Sequence, residues 1–325
     1  MLCGTKNILM NKKLLVTGGA GNIACQFSQR LPPDAEVLLT DIAKAPFSTI
    51  GDHATYQRLD VTERAEIDDM VGRERPDVIL HFASLLSGQS EADRNTAWEV
   101  NMQGAFNTFE AALKFGVDRV VFLSSIASFG SPLPDPVPED CEQWPRGFYG
   151  FTKASVERLG FYYKETLGLD FRSIRLPIVI SPYPSPGAAS SYASNVFIAS
   201  VRDGGYTLQV RESANPAILY IEDCLKAIDL LTHAPAENLS RASYNLFSCA
   251  PTAGEIVTEI QKRVPQVKIE FALNEQVADL IDSWPRRIDD QAARRDWHWS
   301  PDFGLPEMAE EFLSRLESLN EGKVE

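Results

Sequence analysis

The sequence of 325 residues predicts an α/β fold: a doubly wound parallel sheet with a smaller C-terminal α/β lobe. Three observations point there. Short apolar runs alternate with amphipathic ones through the first half of the chain. The first apolar run ends in a glycine-spaced turn, and the second ends in an aspartate about 20 residues later. A chain of this length exceeds the size at which one hydrophobic core keeps growing, so a second, smaller lobe is expected.

The strands come first. KLLVTGG, AEVLLTD, TYQRLDV, PDVILHFA, DRVVFLSS and DFRSIRLP are short and rich in Val, Ile and Leu, the pattern of strands covered on both faces. Between most of them lie helix-period segments, among them NIACQFSQRL, TERAEIDDMVGRE and NTAWEVNMQGAFNTFEAALKFG. Strand and helix in alternation imply parallel strands joined by right-handed crossovers. Residues 130–146 (GSPLPDPVPEDCEQWPR) and 181–191 (SPYPSPGAASS) are too rich in proline for a regular element and read as loops. Short strands and helices follow, including IVTEIQKRVPQ and PEMAEEFLSRLESL. The expected division is a nucleotide-binding domain over 10–177, with 205–230 returning to it, and a substrate lobe from 178–204 and 231–318.

The glycine turn is the first candidate site. In LLVTGGAGNIA, Gly18, Gly21 and Ala24 hold the spacing G-x-x-G-x-x-A between a strand and a helix. Gly18 permits the tight turn, Gly21 lets backbone approach a pyrophosphate, and Ala24 allows close packing of helix on strand. The helix start at Asn22 and Ile23 offers unpaired N–H groups to phosphate oxygens. Asp41, closing the second strand, is placed to accept the ribose hydroxyls of a dinucleotide and to repel a 2′-phosphate, which favours NAD over NADP. The fold is thus of the Rossmann type. Asp60 and Val61, at the end of the third strand, are candidates for the adenine end. Phe82, Ala83 and Ser84 close the fourth strand beside the topological switch point, and Pro177 closes the sixth. His81 is flanked by apolar residues and is expected to be packed in the core.

The candidate chemistry lies in GFYGFTKASVERLG, where Tyr149 and Lys153 share one helical face. The ammonium is expected to lower the phenol pKa and so prepare a general base.

Composition excludes several classes. A net charge of −14 opposes binding to nucleic acid, which needs clustered Lys and Arg. No run of 18 apolar residues is present to span a membrane. The five cysteines form neither C-x-x-C nor a Cys/His cluster, so no metal site is expected and a reducing cytoplasm is the natural setting. The first thirteen residues lack the apolar core of a secretory signal. Met10 is a candidate start, with residues 1–9 as a tail.

Together these residues resemble the extended short-chain dehydrogenases/reductases, whose tetrad is Asn, Ser or Thr, Tyr and Lys. Asn101, Ser124 or Ser125, Tyr149 and Lys153 stand in that order. HFASLLSG, SSIASFG, YGFTKASVER, FRSIRLP, SYNL and DSWPRRIDDQAARRDWHW further resemble the zinc-independent L-threonine 3-dehydrogenase family. The resemblance implies an NAD-dependent oxidation of a secondary hydroxyl, with Tyr149 as base, one of the serines orienting the hydroxyl, and Lys153 bonding the nicotinamide ribose. It implies that Asn101 organises the helix rather than touching substrate. It also implies substrate contacts among Leu86, Ser87, Ser125, Tyr149, Arg175, Ser190, Ser191 and Trp284. Departures from the family pattern fall in the substrate loops, at Ile178 and at Ser191, where an aspartate is usual. Two alternatives remain at this stage. One is a nucleotide-sugar epimerase or dehydratase that grips a diphosphate through Arg286 and Arg287. The other is an NAD-binding regulator without turnover. A homodimer is expected through the helices bearing Asn101 and Tyr149, with Phe106, Phe109, Phe161 and Tyr162 as surplus apolar surface.

Overall fold

Seven parallel strands carry the candidate site, and they stand in the order predicted for a doubly wound sheet. The computed structural model describes residues 12–183 and 188–321. Met10, the tail before it and the middle of the second proline-rich loop lie outside the described residues. The six sequence-predicted strands are β1 (Lys13–Thr17), β2 (Glu36–Asp41), β3 (Ala54–Arg58), β4 (Val78–His81), β5 (Arg119–Ser125) and β6 (Asp170–Leu176). Shorter strands follow: β7 (Ile178–Ile180), β8 (Gly205–Leu208), β9 (Ile218–Tyr220), β10 (Ser243–Asn245) and β11 (Lys268–Phe271). The large sheet has the order β3-β2-β1-β4-β5-β6-β10, parallel throughout. Two small parallel pairs, β7 with β9 and β8 with β11, lie outside it.

Alternating residues of the strands feed two cores. Leu15, Leu38, Ile79, Val120, Phe122 and Phe171 face one helical layer, with Ile67, Phe109 and Tyr163. Leu14, Val16, Val37, Leu39, Val78, Leu80, Val121 and Ile174 face the other, with Phe27, Leu225 and Ile228. Burial on both faces is why these strands read as unbroken apolar runs. The edge strand β3 is only partly covered, which fits its mixed ATYQR sequence.

The segment 95–116 is not one regular helix. A short turn, Arg94–Ala97, passes into a π-helical turn, Trp98–Gln103, and then into the α-helix Gly104–Phe115. Asn101 sits on the π turn, a feature common at functional sites. Residues 130–146 form neither helix nor strand; Val137 clamps them to the segment 287–289 through Val137 N–H to Arg287 O (2.8 Å) and Asp289 N–H to Val137 O (2.9 Å). Among the described residues, no helix is long and apolar enough to cross a membrane.

One expectation about the surface is corrected. Phe109 is fully buried among Tyr163, Phe171 and His81, because it points from its helix into the sheet. Phe106 (39% exposed), Phe161 (54%) and Tyr162 (51%) do face outward.

Candidate active site

Apart from Lys153, the sequence-predicted nucleotide residues lie at or just after the ends of the strands, along one edge of the sheet. Gly18 follows β1 with φ +68°, and a Cβ there would come within 2.6 Å of Ala83 N. Only glycine permits both that backbone conformation and that approach. The neighbouring Gly19 also matters, since its Cβ would meet Thr40 N at 2.6 Å. The two consecutive glycines of TGGAGN were the available signal for that second close approach. Gly21 opens the helix Asn22–Arg30, which has no acidic residue in its first turn to compete for its N–H groups. Ala24 is buried against the sheet. Asn22 donates to Ser181 Oγ (2.8 Å), tying this helix to the loop after β7, while Ile23 packs on the core.

At the tip of β2, Asp41 Oδ2 accepts from Ala20 N–H (3.2 Å) and Oδ1 from Ala43 N–H (3.1 Å). The carboxylate is thereby held over the glycine turn. Asp60 turns the chain after β3 by accepting from Thr62 N–H (3.0 Å) and Thr62 Oγ (2.8 Å). Val61 packs its side chain on Gly104. After β4, Phe82 N–H donates to Thr17 O (3.1 Å), Ala83 N–H to Thr17 Oγ (3.3 Å), and Ser84 Oγ to Asn101 Oδ1 (3.2 Å). A cradle that admits no Cβ, with a carboxylate fixed beside it, fits a dinucleotide.

The two serines diverge because successive strand residues face opposite sides. Ser125 accepts from Ala127 N–H (3.2 Å) and lies close enough to the Tyr149 hydroxyl to act on its pKa. Ser124 is buried and donates to Glu157. Tyr149 and Lys153 lie on the helix Phe148–Leu167, which Gly147 begins. Lys153 is buried; its Nζ donates to Leu123 O (2.8 Å) and lies 5.4 Å from the centre of the Tyr149 ring and 4.7 Å from that of Phe122. Asn101 braces the same helix: its Nδ2 donates to Thr152 Oγ (3.1 Å), and its Oδ1 accepts from Leu85 N–H (2.8 Å).

The expected effect on the phenol is corrected. Burial pushes the Tyr149 pKa up to about 12, opposed by the Ser125 hydrogen bond. Burial pulls Lys153 down to about 7, opposed by the charge of Glu157. The ammonium is turned toward Leu123 O beneath the ring rather than toward the hydroxyl, and desolvation governs both groups. His81 is a core histidine, held well below its usual value at about 3 by burial and then by Lys153. Its Nδ1 bonds Thr17 Oγ (2.9 Å).

Arg175 is also corrected. Its guanidinium is buried and bidentate to Glu157 (Nε 2.9 Å, Nη2 2.8 Å), and Nη1 donates to Glu139 O (3.2 Å) and Asn245 Oδ1 (3.1 Å). That leaves it joining strands, loop and helix rather than facing a substrate. Pro177 follows directly, where β6 ends.

A cavity opens beside Tyr149, lined in part by Ser87, Phe129, Leu280 and Trp284. Leu86 precedes the helix Ser87–Ala92, whose Ser87 Oγ accepts from Ala189 N–H (3.0 Å) and so anchors the turn carrying Ser190 and Ser191. Trp284 is both packed, at 7% exposed, and a wall of the cavity. Two liners had no motif to announce them, Glu91 and Arg146. Glu91 Oε1 accepts from Phe148 N–H (2.5 Å) across Gly147, where a Cβ would fall 2.7 Å from that oxygen. Arg146 donates to Ser131 O (3.2 Å). Neither forms an ion pair with a described residue. Among the described residues, no group of three or more His, Cys, Asp or Glu is placed to hold a metal ion.

Residues 14–246 match the NAD dependent epimerase/dehydratase family. A mitochondrial L-threonine 3-dehydrogenase of Bos taurus is 32% identical over 308 residues, covering 93% of this chain and 82% of the bovine one. The structure of L-threonine dehydrogenase from Phytophthora infestans superposes with a TM-score of 0.88 at 36% identity, covering 94% of this chain and 99% of that one. That of L-threonine dehydrogenase from Clostridium difficile gives 0.90 at 29% identity, covering 95% and 98%.

Proposed function

The chain belongs to the NAD-dependent epimerase/dehydratase family, among the extended short-chain dehydrogenases/reductases, and we propose that it oxidises the secondary hydroxyl of a small hydroxy amino acid, L-threonine foremost. The observation that carries this reading is the pairing of Tyr149 with Ser125 at a cavity, with Lys153 beneath the ring. Tyr149 Oη takes the proton of the substrate hydroxyl as general base. Ser125 Oγ orients that hydroxyl and then donates to the forming carbonyl, while Ser124 supports the strand from behind. NAD would be held by the glycine turn, Asp41 and the ends of β3, β4 and β6, and would supply the hydride acceptor. Lys153, under the tyrosine ring, would bond the nucleotide ribose and, when charged, favour the phenolate. For L-threonine the product is 2-amino-3-oxobutyrate.

The cavity favours a zwitterion. It offers one acid, Glu91, and one base, Arg146, that do not neutralise each other, and so can meet an ammonium and a carboxylate. Arg287, a candidate for gripping a sugar diphosphate, is instead paired with Asp135 at 2.9 Å. We further propose a homodimer through the exposed aromatic face of Trp98, Phe106, Phe151, Phe161 and Tyr162. The test is NADH production with L-threonine, L-serine, 3-hydroxybutyrate and UDP-sugars. Turnover of L-threonine above the hydroxy acid supports the reading; epimerised sugar without net NADH overturns it.

A further inference from the structure

Glu157 lies within the GFYGFTKASVERLG stretch and has been given no role so far; it is 2% exposed and sits in a polar cluster beside the site. It stands four residues beyond Lys153, so the positions 149, 153 and 157 lie on one face of one helix. Its carboxylate accepts from Ser124 Oγ, from Arg175 through both Nε and Nη2, and from Gln143 Nε2 (3.2 Å). A carboxylate buried this deeply is a liability unless it is paired and hydrogen-bonded. Arg175 satisfies it from one side, and Lys153 stands one turn earlier on its own helix.

We propose that Glu157 is a positioning residue for the reaction: it keeps the Lys153 ammonium charged and fixes, through Ser124, the strand end that presents Ser125 to Tyr149. The inference rests on the reading of Tyr149 and Lys153 given above. Two arguments carry it. First, Ser124 and Ser125 are adjacent on β5, so anchoring one to Glu157 sets the direction of the other, which lies on the Tyr149 side of the strand. Second, Lys153 has few acceptors. Its Nζ meets one carbonyl oxygen and the faces of two rings, and burial disfavours its charge. Glu157 is the group that opposes this.

The other groups around the pair do not replace it. From β4, His81 is held neutral by burial. From β6, Arg175 is itself a cation and is paired with Glu157. From the loop before the helix, Gln143 is uncharged, and Glu139 is itself pushed toward its neutral form by burial. From the π turn, Asn101 reaches Thr152 and carries no charge. From the helix Ser87–Ala92, Glu91 lies at the helix start, on Phe148 N–H. From the helix Gly104–Phe115, Glu110 is bonded to Tyr163 (2.6 Å), ten residues further along.

The experiment compares wild type, Glu157→Gln and the double variant Glu157→Gln/Arg175→Met. The double variant removes the buried guanidinium that the single change would leave unpaired. For each, melting establishes folding, NADH production with L-threonine is followed from pH 6 to pH 10, and NAD affinity is titrated over the same range. A lysine that must stay charged gives activity and affinity that fall as pH rises through its pKa. Loss of a nearby carboxylate moves that fall to lower pH, by about one unit or more. The expected result is that displacement in whichever variants fold, in both readouts. Equal loss of activity at every pH, with the NAD-affinity profile unmoved, overturns the proposal and leaves Glu157 as structural support. If wild type fails to oxidise L-threonine, the proposed substrate falls, and the NAD-affinity profiles still decide the role of Glu157.

Discussion

Replacing Glu139 with glutamine should make the protein more stable at pH 8 than at pH 5, relative to wild type. Glu139 sits in the proline-rich loop at 7% exposure, and its Oε1 has no hydrogen-bond partner. Oε2 receives a long bond from Asn245 N–H, 3.4 Å. Burial is the main cause that pushes its pKa up from 4.5 to about 7, against the Asn245 bond and the charges of Arg241 and Arg175. Between those two values the folded protein binds a proton that the unfolded chain has released. The stabilisation is therefore complete below the unfolded value and is lost as pH rises through the folded one. The interval corresponds to about 3 kcal/mol, each pKa unit being ~1.4 kcal/mol. Glutamine keeps the shape and cannot ionise. Urea unfolding followed by tryptophan fluorescence at pH 5, 6, 7 and 8, at fixed ionic strength, isolates the effect, since every other titration cancels in the difference. The stability difference should grow by about 2–3 kcal/mol in favour of the variant from pH 5 to pH 8. A difference that stays constant across that range would refute the argument that Glu139 is buried at the cost of its charge.

Three further outcomes are expected. Tyr149→Phe keeps the ring and the fold but removes the proton acceptor, so kcat with L-threonine should fall roughly 10²–10⁴-fold while the melting temperature and NAD affinity stay near wild type; retention of a tenth of the activity would deny Tyr149 its role. With Asp41 fixed over the glycine turn, catalytic efficiency with NAD should exceed that with NADP, and Asp41→Ser should narrow the gap; equal efficiencies in wild type would remove Asp41 from ribose recognition. Light scattering at micromolar concentration should give the mass of a dimer, and Phe161→Asp, at a position 54% exposed, should yield monomers with intact secondary structure.

The sheet was legible because both of its faces are covered, which leaves strands such as VILH almost wholly apolar. The glycine turn was legible for a similar reason. A left-handed Gly18, where a Cβ would fall 2.6 Å from Ala83 N, tolerates no other residue, so geometry is written directly into composition. Features that depend on a distant partner were not legible. Arg175 at a strand end reads equally as a substrate ligand or a salt bridge, and only the proximity of Glu157 decides it. Ser124 and Ser125 must face opposite ways, yet nothing in the sequence says which one meets Tyr149. The π turn at Trp98–Gln103 leaves no periodic signature over so few residues. The distinctive DSWPRRIDDQAARRDWHW segment proves to be largely architectural. Asp290 pairs with Arg294 and accepts from Trp299, Asp296 accepts from Ser240 and Tyr244, and Trp284 alone of its residues besides Ser283 reaches the cavity.

The hardest feature to foresee was the electrostatic state of Tyr149 and Lys153. A tyrosine and a lysine four residues apart suggest a phenol made acidic by an ammonium, and in water that would follow. Here the lysine is buried and the tyrosine half-buried, and desolvation acts on each in the direction of its neutral form, raising the phenol to about 12 and lowering the amine to about 7. Neither shift is caused by the other member of the pair. Whatever holds the lysine charged and the phenol ready must come from outside the two residues. The structure offers Ser125, whose hydrogen bond lowers the phenol, and Glu157, whose charge raises the amine. Those two supports are linked through Ser124, so the base is better regarded as a cluster spanning two strands and a helix than as a tyrosine with a neighbour.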